Sequence, residues 1–381
     1  MSGMFASWAG HALGRLGESL ANEDKRKLLF GRIWRGLRII LRLGIVGYLV
    51  FLTALWGLFR HWGEGNLTLA FLLYLPPVVW VLPLLPLLGV ALLTDWKALL
   101  LGTGAGALVL SGLFAWQFNS GDFDVVAGER VLRVFSYNRG QSQGATQRPF
   151  IEEVKPDILL FQEAPARWKQ MVEAPGYERF QYGDSIGEFT LLSRYPILSK
   201  ALIRHQNLQV AARFTLDWEG TEVAVYSVHL YSPRDALMAM RRGAFLWGVL
   251  GVPGTKWADK RRANEQFWKR QIGSAEAILK SCREEKLPYV VAGDFNAPSQ
   301  GHIHHLLTRE LNDSHEVSGW GGGYTFPGKT GNPLAFRSPW LRIDKILYSD
   351  HWKSKWSVVE PEQPSQHRAL AAGLILKAAE G

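Results

Sequence analysis

Three stretches without a charged side chain, Leu43–Phe59, Leu67–Leu93 and Ala98–Phe118, follow one another before residue 120. Each is near or above the roughly 17–25 residues that carry a helix across a bilayer. One such run is compatible with the core helix of a soluble domain; three in succession predict transmembrane helices and a chain divided between lipid and water. The second stretch contains Pro76, Pro77, Pro83 and Pro86. Each proline removes a backbone donor, so a kinked or re-entrant course is expected there.

The flanks orient this region. Residues 1–42 carry eight Lys/Arg against three Asp/Glu and end in the cluster Lys25, Arg26, Lys27, Arg32, Arg35, Arg38 and Arg42, which reads as a cytoplasmic side. No cleavable signal peptide is evident before it. Three crossings then place everything after Phe118 outside the cytoplasm, and the acidic Asp122 and Asp124 agree. The expectation is a multi-pass cell-membrane protein whose partner is the lipid bilayer, with no protein partner evident. The formal charge is +9, and part of that excess lies in the C-terminal region, compatible with a phosphate-bearing substrate. The single cysteine, Cys282, excludes an internal disulfide framework and a multi-cysteine zinc site, and reads as a small core-facing helix residue.

After a linker at 119–130 the pattern changes to short strands separated by helices. Strands are predicted at 131–137, 158–162, 189–192, 212–218, 222–229, 289–292, 343–348 and 369–376, with a short helix ending before Pro156. Many strands with few helices between them predict a two-sheet α/β sandwich over 131–381 rather than one open doubly wound sheet. An insertion at about 231–262 has an apolar core, Phe245–Val252, flanked by Arg241, Arg242, Lys256, Lys260, Arg261 and Arg262. A packed helical hairpin, a surface-lying segment and a lid all fit it.

Polar residues recur where the strands end: Asn138, Glu163, His229, Asp294 with Asn296, Asp344, and His367 beyond them. Any one of these fits an ordinary turn, but together they fit phosphoester hydrolysis assisted by a hard cation. Glu163 suits an oxygen-preferring Mg²⁺ or Mn²⁺ and Asn138 can add an amide oxygen. Asp294 and His367 are candidates for activating water. Asp344 is suited to holding the imidazole, and Asn296 to donating toward a phosphoryl oxygen as charge builds.

In order, Asn138, Gln162-Glu163, Leu192–Ile197, Ser227–His229, Gly293–Asn296, Arg342–Asp344 and Ser365–Arg368 resemble the motifs of the endonuclease/exonuclease/phosphatase superfamily, the deoxyribonuclease I-like fold, over about Val131–Leu376. The resemblance implies a four-layered α/β sandwich, two packed sheets with outer helices, and divalent-metal-dependent cleavage of a phosphoester. It carries over Glu163 as metal ligand with Asn138 beside it, Asp294 and Asn296 as the water-orienting and transition-state pair, Asp344 with His367 as a catalytic dyad, and His229 as a second acid. Two departures matter. Gln366 stands where the family has a metal-binding aspartate, which favours one metal ion over two, and Arg139-Gly140 stands where some members carry a further acidic residue or Asn.

Glu188 is a candidate partner for His229. Arg213 is a candidate phosphate contact, with a solvated face as its alternative, and His302, His304 and His305 read as surface or cleft-edge residues because neighbours on a helix point different ways. The combined expectation is a membrane-anchored phosphohydrolase acting on a lipid-linked phosphate or pyrophosphate, as suits the likeness to membrane members with a three-helix start. An extracytoplasmic endonuclease acting on DNA or RNA and a catalytically weak scaffold are the alternatives. Fold alone does not separate them.

Overall fold

The computed structural model describes residues 23–123, 128–140, 146–241, 254, 256–328, 336–361 and 365–378. The first 22 residues, Asp124 and the apolar core expected at 245–252 lie outside the described residues. The chain divides into two compact units, residues 1–54 with 80–109 and residues 55–79 with 110–381.

In the first unit a helix runs through the basic flank as well as the first apolar stretch, from Glu23 to His61. The helices Leu84–Thr94 and Trp96–Leu108 form a hairpin. Asp95 caps the second of them by accepting from the Lys97 and Ala98 amides, and its carboxylate takes both a 2.7 Å and a 2.9 Å bond from the Arg42 guanidinium. Ile45, Ala91 and Ala98 are buried together, with Leu41, Leu87 and Leu99 against them. Large apolar side chains such as Leu43, Val50, Leu85, Leu92 and Leu100 face outward. Two helices, Glu23–His61 and Trp96–Leu113, are long and apolar enough to cross a membrane.

The expectation of a second spanning helix at 67–93 is corrected. That stretch is a seven-residue helix, Leu67–Leu73, a 3₁₀ turn at Pro77–Trp80, and the separate helix Leu84–Thr94. Pro76 and Pro77 lack the amides that would continue the first piece, and a residue before proline is pushed away from the helical region. Its first part, up to Val79, belongs to the second unit.

The second unit holds two six-stranded sheets. One is built from β2 (Val131–Asn138), β3 (Ile158–Gln162), β4 (Tyr182–Ile186), β5 (Phe189–Ser193), β13 (Trp352–Val359) and β14 (Leu370–Leu376), in the order β13-β14-β2-β3-β5-β4. The other is built from β6 (Ile197–His205), β7 (Leu208–Trp218), β8 (Thr221–His229), β9 (Tyr289–Asp294), β10 (Asn312–Asp313) and β12 (Asp344–Tyr348), in the order β10-β12-β9-β8-β7-β6. A two-stranded ribbon pairs β1 (Gln117–Phe118) with β11 (Trp320–Gly321). Each large sheet has one parallel pair, β2 with β3 and β8 with β9; its other pairs are antiparallel. The predicted two-sheet sandwich is therefore the observed one. Three strands that the pattern did not announce, β4, β6 and β13, are edge strands. An edge strand is under less demand for a continuous apolar run, and the mostly exposed face of β6 shows it.

The period of two along a strand decides what enters the space between the sheets. Leu132 and Val134 on β2, Ile158 and Leu160 on β3, Val223 and Val225 on β8, Val290 and Ala292 on β9, and Ile346 on β12 share one buried core. Residues of the opposite parity meet outer layers. Phe135 and Phe161 join Phe150 and Ile151 of the helix Arg148–Val154, while Tyr226 and Val291 join Ile278, Leu279 and Cys282 of the helix Lys256–Glu284. Burying each large apolar side chain contributes about 1.5–3 kcal/mol, so both parities are fixed. Continuing the inward parity to the strand ends brings Asn138, Gln162, His229, Asp294 and Asp344 to one rim of the sandwich.

Candidate active site

Register aligns this rim. Asn138 is opposite Gln162, His229 opposite Asp294, and Asp294 opposite Asp344. Gly293, at φ 145°, has no room for a side chain because a Cβ there would overlap the Val228 carbonyl. The two parallel strands thus approach closely just below the site. Immediately beneath, Gln162 Nε2 donates to Ser227 Oγ at 3.0 Å, a buried polar bridge between the sheets.

Asp294 is the hub. Its carboxylate accepts from Asn138 Nδ2 at 2.9 Å, from the Asn296 amide at 2.8 Å and from Asn296 Nδ2 at 3.1 Å. Asn296 Nδ2 also donates to the Leu230 carbonyl at 2.8 Å, which locks the side-chain amide. Opposite, His367 Nδ1 lies 3.1 Å from Asp344 Oδ2, and its Nε2 lies 3.8 Å from Asp294 Oδ2. Phe326 packs against the imidazole at 4.9 Å between ring centres, and the Asp344 amide donates to Thr325 Oγ1. His229 reaches the same carboxylate from the other side, with Nε2 at 3.9 Å from Asp294 and 3.8 Å from Glu163, while Nδ1 is 3.1 Å from Glu188.

The charges follow from this crowding. Burial alone would lower the His367 imidazole, but the carboxylates of Asp344 and Asp294 overcome it and push it up to about 9. Burial and the neighbouring Asp344 push Asp294 upward from the usual carboxylate range. For His229 burial is again opposed, by the Glu188 bond and the Asp294 charge, and the net shift is upward.

Glu163 differs from its neighbours. Its side chain is 45% exposed, it accepts no hydrogen bond among the described residues, and its backbone is left-handed at φ 52°. For a non-glycine residue such a conformation costs about 1–3 kcal/mol and marks sites where a side chain must be aimed. Gly140 explains how the carboxylate fits. A Cβ at 140 would overlap the Glu163 carboxylate, so the position that sequence reading takes as a missing ligand is the clearance for the candidate ligand Glu163. Asn138 Oδ1 accepts from the Gly140 amide at 2.8 Å and holds that loop. An accessible carboxylate that accepts no hydrogen bond among the described residues, with only the imidazole of His229 at 3.8 Å and an amide oxygen nearby, fits a hard divalent cation. Asp294, Asp344 and His367 also present ligand atoms within 4.8 Å of one another and could hold an ion, although the Asp344–His367 bond already engages two of them.

Not every expected site residue is here. Arg213 lies on β7 with outward parity; its guanidinium donates to Glu285 at 2.6 Å and to Thr215, away from the rim, so it is not a cleft residue. His304 is buried rather than at the surface. Its Nε2 is 2.7 Å from Glu316, and Arg342 donates to both Asp313 and Glu316. Gln366 sits beside the dyad, with its backbone carbonyl accepting from the Gly328 amide. Tyr74 was missed altogether: its hydroxyl donates to the Asn296 carbonyl at 2.6 Å from 222 positions away. No local signal in the sequence could have found it.

With the site laid out, a model of the endonuclease/exonuclease/phosphatase family matches residues 138–367, and the chain belongs to that family. It is accordingly an enzyme of phosphoester hydrolysis. Among similar solved structures are an endonuclease/exonuclease/phosphatase family protein from Bacteroides thetaiotaomicron (17% identity, 66% of this chain and 99% of that one, TM-score 0.46) and a mannosyl-6-phosphatase from the same organism (18%, 64% and 100%, TM-score 0.45). A third is the human Nocturnin catalytic domain (18%, 67% and 97%, TM-score 0.43). The comparison with curated proteins gives no match.

Proposed function

We propose that the chain is a membrane-anchored, divalent-cation-dependent phosphohydrolase or phosphodiesterase acting on a lipid-linked phosphate or pyrophosphate, with water activated between Asp294 and His367. The observation that carries the reading is the row Asp344–His367–Asp294 at the open rim. One carboxylate orients the imidazole and the other faces its free nitrogen across a gap of 3.8 Å. In that gap Asp294 accepts from the attacking water and His367 exchanges its proton; burial and Asp344 hold the Asp294 carboxyl up, and the two carboxylates hold the imidazole up. On this reading Asn296 Nδ2 gives up the longer of its two bonds, the one to Asp294, to donate to a phosphoryl oxygen, and His229, held by Glu188, protonates a leaving oxygen.

Glu163 and Asn138 would hold one Mg²⁺ or Mn²⁺ ion, which when bound neutralises charge developing on the phosphoryl group. Gln366 brings no carboxylate, which favours a single ion.

Anchoring is supported by the outward apolar side chains of the first unit, since an apolar surface of that extent is unfavourable in water. The Tyr48 hydroxyl donates to the Trp80 carbonyl and Arg42 pairs with Asp95. The hairpin tip is thus level with the basic flank, and the chain leaves the hairpin in the direction in which the first helix runs. That arrangement supports a multi-pass segment with an extracytoplasmic catalytic region. A reporter joined after Phe118 should be active only outside the cytoplasm; activity inside would overturn this topology.

The reaction is tested by assaying purified protein with Mg²⁺ or Mn²⁺ on polyprenyl pyrophosphate, a lipid phosphodiester and plasmid DNA, beside His367→Ala and Glu163→Ala. Turnover of a lipid substrate, abolished in both variants, is expected. Turnover of DNA alone would establish the nuclease reading, which the His229–Glu188 pair favours. Turnover surviving both substitutions would sink the site assignment. No turnover, with no cation bound in calorimetry, would establish a scaffold.

A further inference from the structure

The loop that carries Asn296 is held from outside the sandwich. Between the first helix and Pro76 the chain makes a tight turn, Gly63–Gly65, and the helix Leu67–Leu73, both folded into the second unit. Glu64 in that turn is fully buried. Its Oε2 accepts from the His302 amide at 2.7 Å and the Ile303 amide at 3.2 Å. The fit is close: a Cβ at Gly63 would lie 2.8 Å from the His302 nitrogen, and one at Gly301 would overlap the Glu64 carboxylate. At the other end Tyr74 donates from its hydroxyl to the Asn296 carbonyl, accepts at its own carbonyl from Trp340 Nε1 at 3.1 Å, and stacks at a tilt on Trp268. Gln300, between these two holds, donates to the Leu113 carbonyl at the end of the third apolar stretch. The loop from Asn296 to His302 is thus pinned at its start, middle and end by residues that precede the sandwich in the chain.

The pinned end is the demanding one. Asn296 has a left-handed backbone, φ 46°, and its side chain must serve Leu230, Asp294 and, in the functional reading, a phosphoryl oxygen. The Tyr74 hydroxyl fixes the oxygen of the 296–297 peptide, and with it the left-handed backbone from which that side chain projects.

We propose that the turn and helix between Gly63 and Tyr74 are a working part of the active site, and that Tyr74 is a positioning residue that acts through the Asn296 carbonyl. The inference rests on the reading of Asn296 as part of the reacting machinery. It makes the juxtamembrane connection a determinant of turnover as well as a tether. A shift of 0.5 Å or a rotation of 10–20° is enough to spoil a site of this kind.

The test uses the full chain. Tyr74→Phe removes only the hydroxyl, and is expected to lower kcat about tenfold on whichever phosphoester the wild type hydrolyses, with KM unchanged, and to speed amide hydrogen exchange across Phe295–Ala297 about tenfold. Ile151→Val, which removes one buried methyl group from the outer layer of the other sheet and touches neither Asn296 nor residues 63–74, is expected to lower the melting temperature and leave kcat as in wild type. Wild-type kcat and wild-type exchange in Tyr74→Phe overturn the proposal. So does a fall in kcat in Ile151→Val that equals the fall in Tyr74→Phe, because the loss would then follow from stability alone. If the wild type hydrolyses no phosphoester, the functional reading fails by itself. The exchange rates then decide whether Tyr74 holds the loop.

Discussion

Among the described residues two groups of acids and histidine come close enough to share an ion: Asp294, Asp344 and His367 at the rim, and His304, Asp313 and Glu316 a short way behind it. Each joins two acids to one histidine, and all but the half-buried Glu316 are buried, yet their electrostatics run opposite ways. In the second group Arg342 supplies the countercharge. Burial would raise Asp313, but Arg342 and His304 hold it below the usual carboxylate range, and burial lowers His304 below its ordinary value. In the first group no arginine bonds the carboxylates among the described residues, so burial and Asp344 push Asp294 upward and His367 becomes the cation. A built-in guanidinium turns an acidic cluster into a strut; its absence leaves a cluster whose protons can move.

Removing the guanidinium is the largest blow the comparison predicts. Arg342→Leu strands two acids in the interior, which typically costs about 3–5 kcal/mol, and should show as a collapse of the denaturation midpoint. His367→Leu should cost markedly less stability while abolishing turnover. Equal losses of stability would erase the distinction.

The next effect concerns pH. His367 moves from an ordinary value of 6.5 up to about 9 on folding. Its contribution to stability is full below about pH 6.5 and is lost as pH rises through about 9, because the folded state holds a proton that the unfolded chain has released. In chelator, the wild type should lose on the order of 2–3 kcal/mol across that window. His367→Gln should not, and His304→Gln should keep the wild-type slope, since His304 is neutral throughout the window. Parallel profiles for wild type and His367→Gln would refute the charge assignment.

The smallest effect is on cation affinity. Replacing Glu163 with Gln should weaken Mg²⁺ or Mn²⁺ binding by about 10–100-fold, whereas Glu316→Gln should leave calorimetric affinity unchanged. Weakening by Glu316→Gln would mean that the rear cluster also binds an ion.

The part of this comparison that could be read in the sequence is the recurrence of polar residues at strand ends, Asn138, His229, Asp294 and Asp344 among them. That they share one rim follows from the inward parity of β2, β8, β9 and β12, which the folded chain shows and the sequence reading did not assign. His304 misled because neighbours on a helix do point different ways; which of them points inward depends on Arg342 and Glu316, brought alongside by folding. Arg213 misled for a related reason. Its charge was visible, whereas its outward parity mattered only once Glu285 lay beneath it. Gly140 was legible as an absence and became intelligible only beside Glu163. The broken course at 67–93 was signalled by its prolines; its use, to hold Asn296, was not.

The position of β14 has a consequence for the timing of synthesis. That strand lies between β13 and β2, inside its sheet rather than at an edge, and His367 leads directly into it. Until residue 376 has been made, β2 lacks a neighbour on that side and Asn138 stands on a half-built sheet. A chain that folds as it emerges can complete the sheet of β6 to β10 and β12 by residue 348, before the other sheet is closed. The candidate site is assembled only with the last described strand, so a nascent or stalled chain holds Asp294 and Asp344 without the imidazole of His367 in place.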